Sequence, residues 1–100
     1  MSVIVIGTMK VDPENIEKLW KERQSDFEAI VVEAKKAGAL HHRWGIGTDE
    51  VLIIDEWPDA ESFQSFFGSQ PKIADLMASA GVQGPPEFTI VEAKQGPDEF

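Results

Sequence analysis

The chain has 100 residues, of which 42% are apolar, so it is long enough for one hydrophobic core and too short for two. Eighteen acidic residues against nine basic ones give a formal net charge of −9, which disfavours nucleic acid and anionic membrane surfaces as partners. There is no cysteine, which excludes disulfides, thiolate nucleophiles and cysteine-ligated metal centres. The short apolar stretch at the N-terminus fits neither a signal peptide nor a membrane span, and we expect a soluble cytoplasmic protein.

The first part of the chain predicts a strand followed by one long helix. Residues 2–9 are rich in β-branched side chains and apolar at both parities, as in a strand that is covered on both faces. Asp12 and Pro13 suit the cap and the first position of a helix. Apolar side chains then recur at three- and four-residue spacing, interrupted only by Arg23, and Gly38 is suited to end the helix.

The middle of the chain predicts an antiparallel hairpin. Residues 39–47 and 51–57 are two strand-like segments, joined by a short polar turn that contains glycine. Within the first strand, His42 and Trp44 share one face, whereas His41 points to the opposite face.

The last part of the chain predicts an interrupted helix and a final strand. Asp59 can cap a helix, and Pro71 begins a second helical segment after a break. Residues 84–86 are Gly-Pro-Pro and predict a stiff loop. Residues 88–93 alternate as a closing strand, and residues 94–100 form an acidic C-terminal tail.

The predicted order of elements is β, α, β, β, α with a break, β. This order is typical of a ferredoxin-like α+β domain over residues 1–93, with a four-stranded antiparallel sheet and the helices on one face. Since the strands are apolar on both faces, the uncovered face would be a large apolar patch. We therefore expect a homodimer that buries this sheet face.

Three segments resemble the antibiotic biosynthesis monooxygenase domain: residues 53–57 (IIDEW), 58–63 (PDAESF) and 69–73 (SQPKI). The resemblance extends to about residue 93 and implies a dimeric α+β barrel with a ligand cavity between helices and sheet. Some members oxidise polyketide or quinol-type aromatics without metal or flavin; others degrade haem, process signalling-related small molecules or have no assigned chemistry. Members often carry a histidine after the strand-ending tryptophan, and residues 63–67 contain none. The haem-degrading branch needs a helical histidine, so we expect no haem, and no other cofactor or metal.

His42 is the candidate catalytic residue. A neutral imidazole in an apolar environment could accept a proton from a phenol or an enol, which makes the substrate electron-rich enough to react with dioxygen. The alternative is a structural histidine, bound to a backbone or carboxylate group or placed at the dimer interface. Because His41 and His42 diverge, the pair cannot chelate one ion by itself. Asp55 and Glu56 could orient the base, but their place at a strand end favours solvation at the sheet margin.

Aromatic side chains are numerous for a chain of this length, and they are candidate walls of a substrate cavity, although a plain hydrophobic core is the alternative reading. The candidate substrate-binding residues are Trp20, Phe27, Trp44, Trp57, Phe63, Phe66 and Phe67. The sequence therefore favours a cofactor-independent monooxygenase, or a related small-molecule enzyme, that acts on a hydrophobic aromatic substrate. The alternative function is a non-catalytic dimeric module that binds a small apolar ligand or a protein partner. An isomerase or lyase would need the same base and is not distinguished.

Overall fold

The structure, a computed structural model, describes residues 1–100. The four strands are β1 (Val3–Lys10), β2 (His41–Ile46), β3 (Glu50–Trp57) and β4 (Gln83–Glu92). The four helices are α1 (Pro13–Glu22), α2 (Gln24–Lys36), α3 (Ala60–Ser69) and α4 (Pro71–Ala80). Residues 93–100 belong to no helix or strand.

The strands form one antiparallel sheet in the order β2-β3-β1-β4, so β1 is central and β2 is an edge strand. This is the ferredoxin-like α+β arrangement predicted from the order of the elements. The helices lie on one face of the sheet. The buried strand residues packed in the core all point to that face, and they include Val5, Val51 and Trp57. None of the four helices has the length and apolarity needed to cross a bilayer.

The core beneath the helices consists of two clusters of buried side chains. The larger cluster consists of Met9, Val11, Ile16, Leu19, Val51, Leu76 and Ala80. The smaller cluster consists of Val5, Trp57, Phe63 and Phe66. The helical residues of the larger cluster come from α1 and α4, and those of the smaller cluster come from α3. Helix α2 contributes no buried residue to either cluster.

The opposite face of the sheet, which we call the outer face, carries the apolar side chains that alternate with the buried ones along each strand. Its apolar side chains are Ile4, Ile6, Leu52, Ile54 and Val91. Ile54 is 39% exposed and Val91 is 48% exposed. The sequence pattern of strands that are apolar on both faces is thus present in the fold, with one of the two faces left without a helical cover.

The prediction of one long helix over residues 13–38 is wrong, because the helix is interrupted at Arg23. Arg23 has φ −127° and ψ 38°, outside the helical region. Neither glycine nor proline causes this break. The Arg23 guanidinium donates instead to Asp75 at 2.6 Å, to Asp26 at 2.8 Å and to Ser79 at 3.2 Å. Since Asp75 and Ser79 lie on α4, the break coincides with a contact between distant parts of the chain.

These contacts have an electrostatic signature. The hydrogen bonds that Arg23 donates to Asp75 and then to Asp26 raise the pKa of Arg23 above its ordinary value. The hydrogen bond from Arg23 lowers the pKa of Asp26, and Lys72 lies 3.6 Å from the same carboxylate. The interruption between α1 and α2 is therefore held to α4 by the ion pairs of Arg23 with Asp75 and of Asp26 with Lys72.

The predicted loop at residues 84–86 is also wrong, because these residues lie within β4. Because β4 is an edge strand that pairs only with β1, prolines are tolerated here when the position of the missing N–H faces away from the sheet. The pairing shifts register between Thr8 and Lys10, opposite this segment. The last strand therefore begins earlier than its alternating pattern indicates.

Candidate functional site

A cavity of about 760 Å³ lies between the helices and the inner face of the sheet. Twenty of its 28 lining residues are hydrophobic, so the space suits an apolar molecule. All seven aromatic residues predicted as walls line it: Trp20, Phe27, Trp44, Trp57, Phe63, Phe66 and Phe67. Phe88 on β4 also lines the cavity and was missed by the sequence analysis. That these side chains bind a substrate remains a prediction.

The cavity opens on one side of the molecule. The exposed lining residues lie on α2, just before β2 or at the start of β2, and they are Gln24, Glu28, Val31, Lys35, Leu40, His41 and His42. The remaining lining residues are buried or half-buried. The mouth of the cavity therefore lies between α2 and the edge strand β2, and His42 lies at this mouth.

His42, Asp55 and Trp57 form a hydrogen-bonded group on the cavity wall. The Nδ1 atom of His42 lies 2.6 Å from Oδ1 of Asp55, and the indole Nε1 of Trp57 donates to Oδ2 of Asp55 at 3.1 Å. Asp55 is 7% exposed, whereas the side chain of His42 is 42% exposed. The group therefore runs from the hydrophobic core to the mouth of the cavity.

The carboxylate fixes which nitrogen of His42 carries the proton. An ionised carboxylate only accepts hydrogen bonds, so a neutral imidazole in this contact donates from Nδ1. The lone pair of Nε2 is then free to accept a proton. A histidine that is oriented in this way by a buried carboxylate is the arrangement required of a general base.

A cluster of aromatic rings lies against one side of the base. The ring of Trp44 meets that of His42 edge to face, with centroids 5.7 Å apart. Trp20 of α1 and Phe27 of α2 pack on the same Trp44 ring at 5.5 and 6.4 Å. Rings on three elements thus meet next to the imidazole, which limits the access of water from that side.

Gly7 in the middle of β1 gives the cavity part of its depth. A Cβ atom at this position would lie 2.7 Å from Cε1 of Phe88 and 2.9 Å from Cγ1 of Ile53, both of which are shorter than a van der Waals contact. The Phe88 ring therefore lies directly over the glycine. Because Gly7 and Phe88 both line the cavity, any larger residue at position 7 would push a cavity wall out of place.

The predicted solvation of Asp55 and Glu56 at the sheet margin is wrong for Asp55. Its carboxylate is buried and bonded to His42, whereas Glu56 faces the outer side and accepts a hydrogen bond from Ser2 at 2.5 Å. The hairpin contains the signal that would have revealed this pairing. The pair next to its turn is Ile46 opposite Val51. Four residues further from the turn on each strand, His42 lies opposite Asp55.

His41, which the sequence assigns to the face opposite His42, pairs in register with Glu56 and also borders the mouth. No group of three or more histidine, aspartate or glutamate side chains in residues 1–100 is arranged to hold a metal ion. The two histidines therefore have different surroundings, and only His42 has a buried carboxylate as its partner.

No protein-family model matches the sequence, and no curated protein matches it. Solved structures do match. The chain is similar to a monooxygenase from the gene ActVA-Orf6 of Streptomyces coelicolor in complex with nanaomycin D, with TM-score 0.67, 20% identity, and coverage of 95% of this chain and 89% of that one. It is also similar to a variant of SnoaB, a cofactor-independent oxygenase from Streptomyces nogalater, with TM-score 0.60, 16% identity and 98% coverage of both chains.

A third match is Rv0793 from Mycobacterium tuberculosis, with TM-score 0.63, 14% identity, and coverage of 98% of this chain and all of that one. Structures of antibiotic biosynthesis monooxygenases are among the other matches. The chain therefore has the fold of the antibiotic biosynthesis monooxygenases, as the resemblance in its sequence predicts. Identities this low establish the fold, and function has to be argued from the site.

Proposed function

We propose that the protein is a cofactor-independent monooxygenase, or a related small-molecule enzyme, that acts on a hydrophobic aromatic substrate. The observation that carries the proposal is the His42–Asp55 pair at the mouth of an apolar cavity. A pocket that only stores an apolar ligand needs no buried carboxylate, since burying a carboxylate is costly unless hydrogen bonds compensate it. A base that must accept a proton does need one, because the carboxylate stabilises the imidazolium that forms.

The chemistry follows from the position of the free nitrogen. His42 Nε2 takes a proton from a phenol, or from the acidic ring CH₂ of its keto tautomer. The resulting anion gives electrons to dioxygen. A carbon–oxygen bond forms, the oxygen–oxygen bond breaks, and one oxygen leaves as water. Converting a ring CH₂ to a carbonyl in this way supplies all four electrons that dioxygen accepts, so the reaction needs no external reductant. The proton held by His42 is available for the water that leaves.

The shape and polarity of the cavity support an apolar aromatic substrate. Trp20, Phe27 and Trp44 offer ring edges and faces beside the base, and such pairs favour offset or edge-to-face contacts. The space of about 760 Å³ lies within the range of ordinary ligand pockets.

The proposal is tested by dioxygen uptake with anthrone, naphthols and naphthoquinols as candidate substrates. We expect His42→Ala to lower the turnover rate by about 10²- to 10⁴-fold, the usual contribution of a general base. Thr48→Ala is the matched control, because Thr48 is exposed in the turn of the same hairpin and does not line the cavity. Quenching of tryptophan fluorescence by the same compounds measures binding separately.

Two outcomes would count against the proposal. Turnover that survives in His42→Ala removes the base from the mechanism. Binding without dioxygen uptake by any compound favours the non-catalytic module, for which the predominantly hydrophobic lining is the supporting observation.

We further propose that the outer face of the sheet is the interface of a homodimer. Its five apolar side chains form a patch that carries no helix of its own chain, and such patches on soluble proteins mark interaction sites. A twofold arrangement lets one patch cover its own copy. Native mass spectrometry should give twice the chain mass for the wild type and the monomer mass for Ile54→Lys. Val32→Lys on α2 is the control, since Val32 is 52% exposed and lies on the helical side.

A further inference from the structure

We propose that Trp57 is a positioning residue for His42, which acts through Asp55 and not as a surface that binds substrate. The proposal rests on the proposed role of His42 as a general base. It assigns a task to a residue that the sequence analysis treats only as a cavity wall. The group that performs the task is the indole N–H, and three features of the structure carry the argument.

The first feature is the rigidity of the Trp57 side chain. Trp57 is 1% exposed, and its ring packs on Phe63 with centroids 5.7 Å apart and on Phe66 at 5.3 Å. Both phenylalanines are buried residues of α3. The direction of the indole N–H is therefore fixed by the packing of α3 against the sheet.

The second feature is the use that Asp55 makes of its two carboxylate oxygens. Oδ2 accepts the hydrogen bond from Trp57 at 3.1 Å, and Oδ1 contacts Nδ1 of His42 at 2.6 Å. Asp55 and Trp57 are two residues apart on β3 and so share the inner face. The carboxylate cannot rotate toward another partner without losing one of these contacts.

The third feature is the weak support that His42 has from other sources. It lies on an edge strand, its side chain is 42% exposed, and its aromatic neighbour is the edge-to-face ring of Trp44. An exposed imidazole with only this support would sample several orientations and both neutral tautomers. The two hydrogen bonds that link Trp57, Asp55 and His42 therefore connect the imidazole at the cavity mouth to a side chain that is held in place by the core.

The same geometry argues against a direct role for the indole in binding a substrate oxygen. A tryptophan has one N–H donor, and in Trp57 this donor is engaged by Asp55. A substrate anion would have to compete with a buried carboxylate for it. Removal of the N–H should therefore affect the base and not the affinity for substrate.

The test compares Trp57→Phe with the matched variant Trp20→Phe, which changes a cavity tryptophan that packs on Trp44 and is not bonded to Asp55. The readout is the ¹⁵N NMR spectrum of His42 at about pH 8, where an ordinary imidazole is neutral. We expect the wild type to hold His42 in the Nδ1–H tautomer. In Trp57→Phe the ratio of the two tautomers should fall by up to about tenfold, and in Trp20→Phe it should stay unchanged.

A second measurement does not depend on the folding of Trp57→Phe. In the wild type, the indole proton of Trp57 should resonate downfield, because it donates to a carboxylate, and it should move upfield in Asp55→Asn.

With a substrate that turns over, Trp57→Phe should lower kcat by about tenfold and leave KM close to its wild-type value. An unchanged tautomer ratio in folded Trp57→Phe, or an unmoved indole resonance in Asp55→Asn, overturns the proposal.

These readouts separate the two proposals. If no aromatic compound is oxidised but the tautomer ratio depends on Trp57, then the positioning chain exists and the proposed reaction fails. If turnover depends on His42 while the tautomer ratio ignores Trp57, then the base is confirmed and the positioning role fails.

Discussion

Helices α2 and α3 cover the same face of the sheet but meet it in opposite ways. Helix α3 packs directly on the strands, with Phe63 and Phe66 buried against Trp57. Helix α2 has no buried residue, and its inner side chains, such as Phe27 and Ile30, border the cavity. The cavity is therefore the space that remains where one helix stands away from the sheet. A closely packed helix supplies the frame of the site, and a loosely packed one supplies its roof.

The ends of these two helices differ in the same sense. Asp59 caps α3 by accepting the backbone N–H of Ser62 at 2.7 Å, whereas α2 begins at Arg23 without a side-chain cap. Helix α3 is separated from α4 by Pro71, a local signal. Helix α2 is separated from α1 at Arg23, whose side chain contacts Asp75 and Ser79 of α4. The ends of the frame helix α3 are thus marked by local sequence signals, whereas the start of the roof helix α2 coincides with tertiary contacts.

The largest expected effect comes from truncating one phenylalanine in each helix. Phe63→Ala should lower the free energy of unfolding by about 3–5 kcal/mol, because it opens a void in closely packed core. Phe27→Ala should cost about 1 kcal/mol, since Phe27 is half-buried and already borders a cavity. Urea unfolding of the two variants measures both values. Equal losses would mean that α2 is as tightly packed as α3.

A smaller effect is expected from removing the contact that fastens the break between α1 and α2. Arg23→Ala loses its hydrogen bonds to Asp75 and Ser79, which should let α2 move more freely. Hydrogen exchange should become faster for α2 amides, by less than about tenfold, and stay unchanged for α3. The difference from wild type should shrink at high salt, because the lost contacts are largely between charges. Faster exchange in α3 as well would contradict the separation of roof and frame.

The smallest effect is expected at the cap of α3. The backbone N–H of Ser62 lowers the pKa of Asp59, so the folded state favours the ionised carboxylate. The stability contributed by this charge is complete above the ordinary aspartate value of 3.8, and it is lost as the pH falls through the lower folded-state value. Asp59→Asn keeps a capping side chain and removes the charge. Its deficit in urea unfolding should be visible at neutral pH and disappear in acid; a constant deficit would assign the effect to geometry alone.

Much of the fold could be predicted from local signals. Strand periodicity and the order of the elements predict the sheet and the ferredoxin-like class, and Pro71 predicts the break between α3 and α4. The break at Arg23 could not be predicted in this way, because its partners Asp75 and Ser79 are more than fifty residues away. The start of β4 was obscured by residues 84–86, which are tolerated because β4 is an edge strand.

The site divides along the same line. His42 and Trp44 share a face of β2 by simple alternation, and both line the cavity. The role of Asp55 depends on the register of two strands, which alternation alone does not specify. The partner of the Trp57 N–H could not be predicted from the sequence, because the direction of this N–H is set by packing against Phe63. The faces of the strands were predictable from alternation, whereas the His42–Asp55 pair also needed the hairpin register and the Trp57 contact needed the three-dimensional packing.

The position of His42 at the mouth has a consequence for how the site would return to its starting state after each reaction. A base enclosed in an apolar interior can exchange its proton with water only through a relay of other groups or by opening of the cavity. The side chain of His42 is 42% exposed, so bulk water reaches the imidazole from outside while a bound molecule occupies the interior. Proton exchange with solvent would therefore take place at the mouth of the cavity, while the apolar molecule occupies the interior. The interior could stay dry through many reaction cycles without any movement of α2.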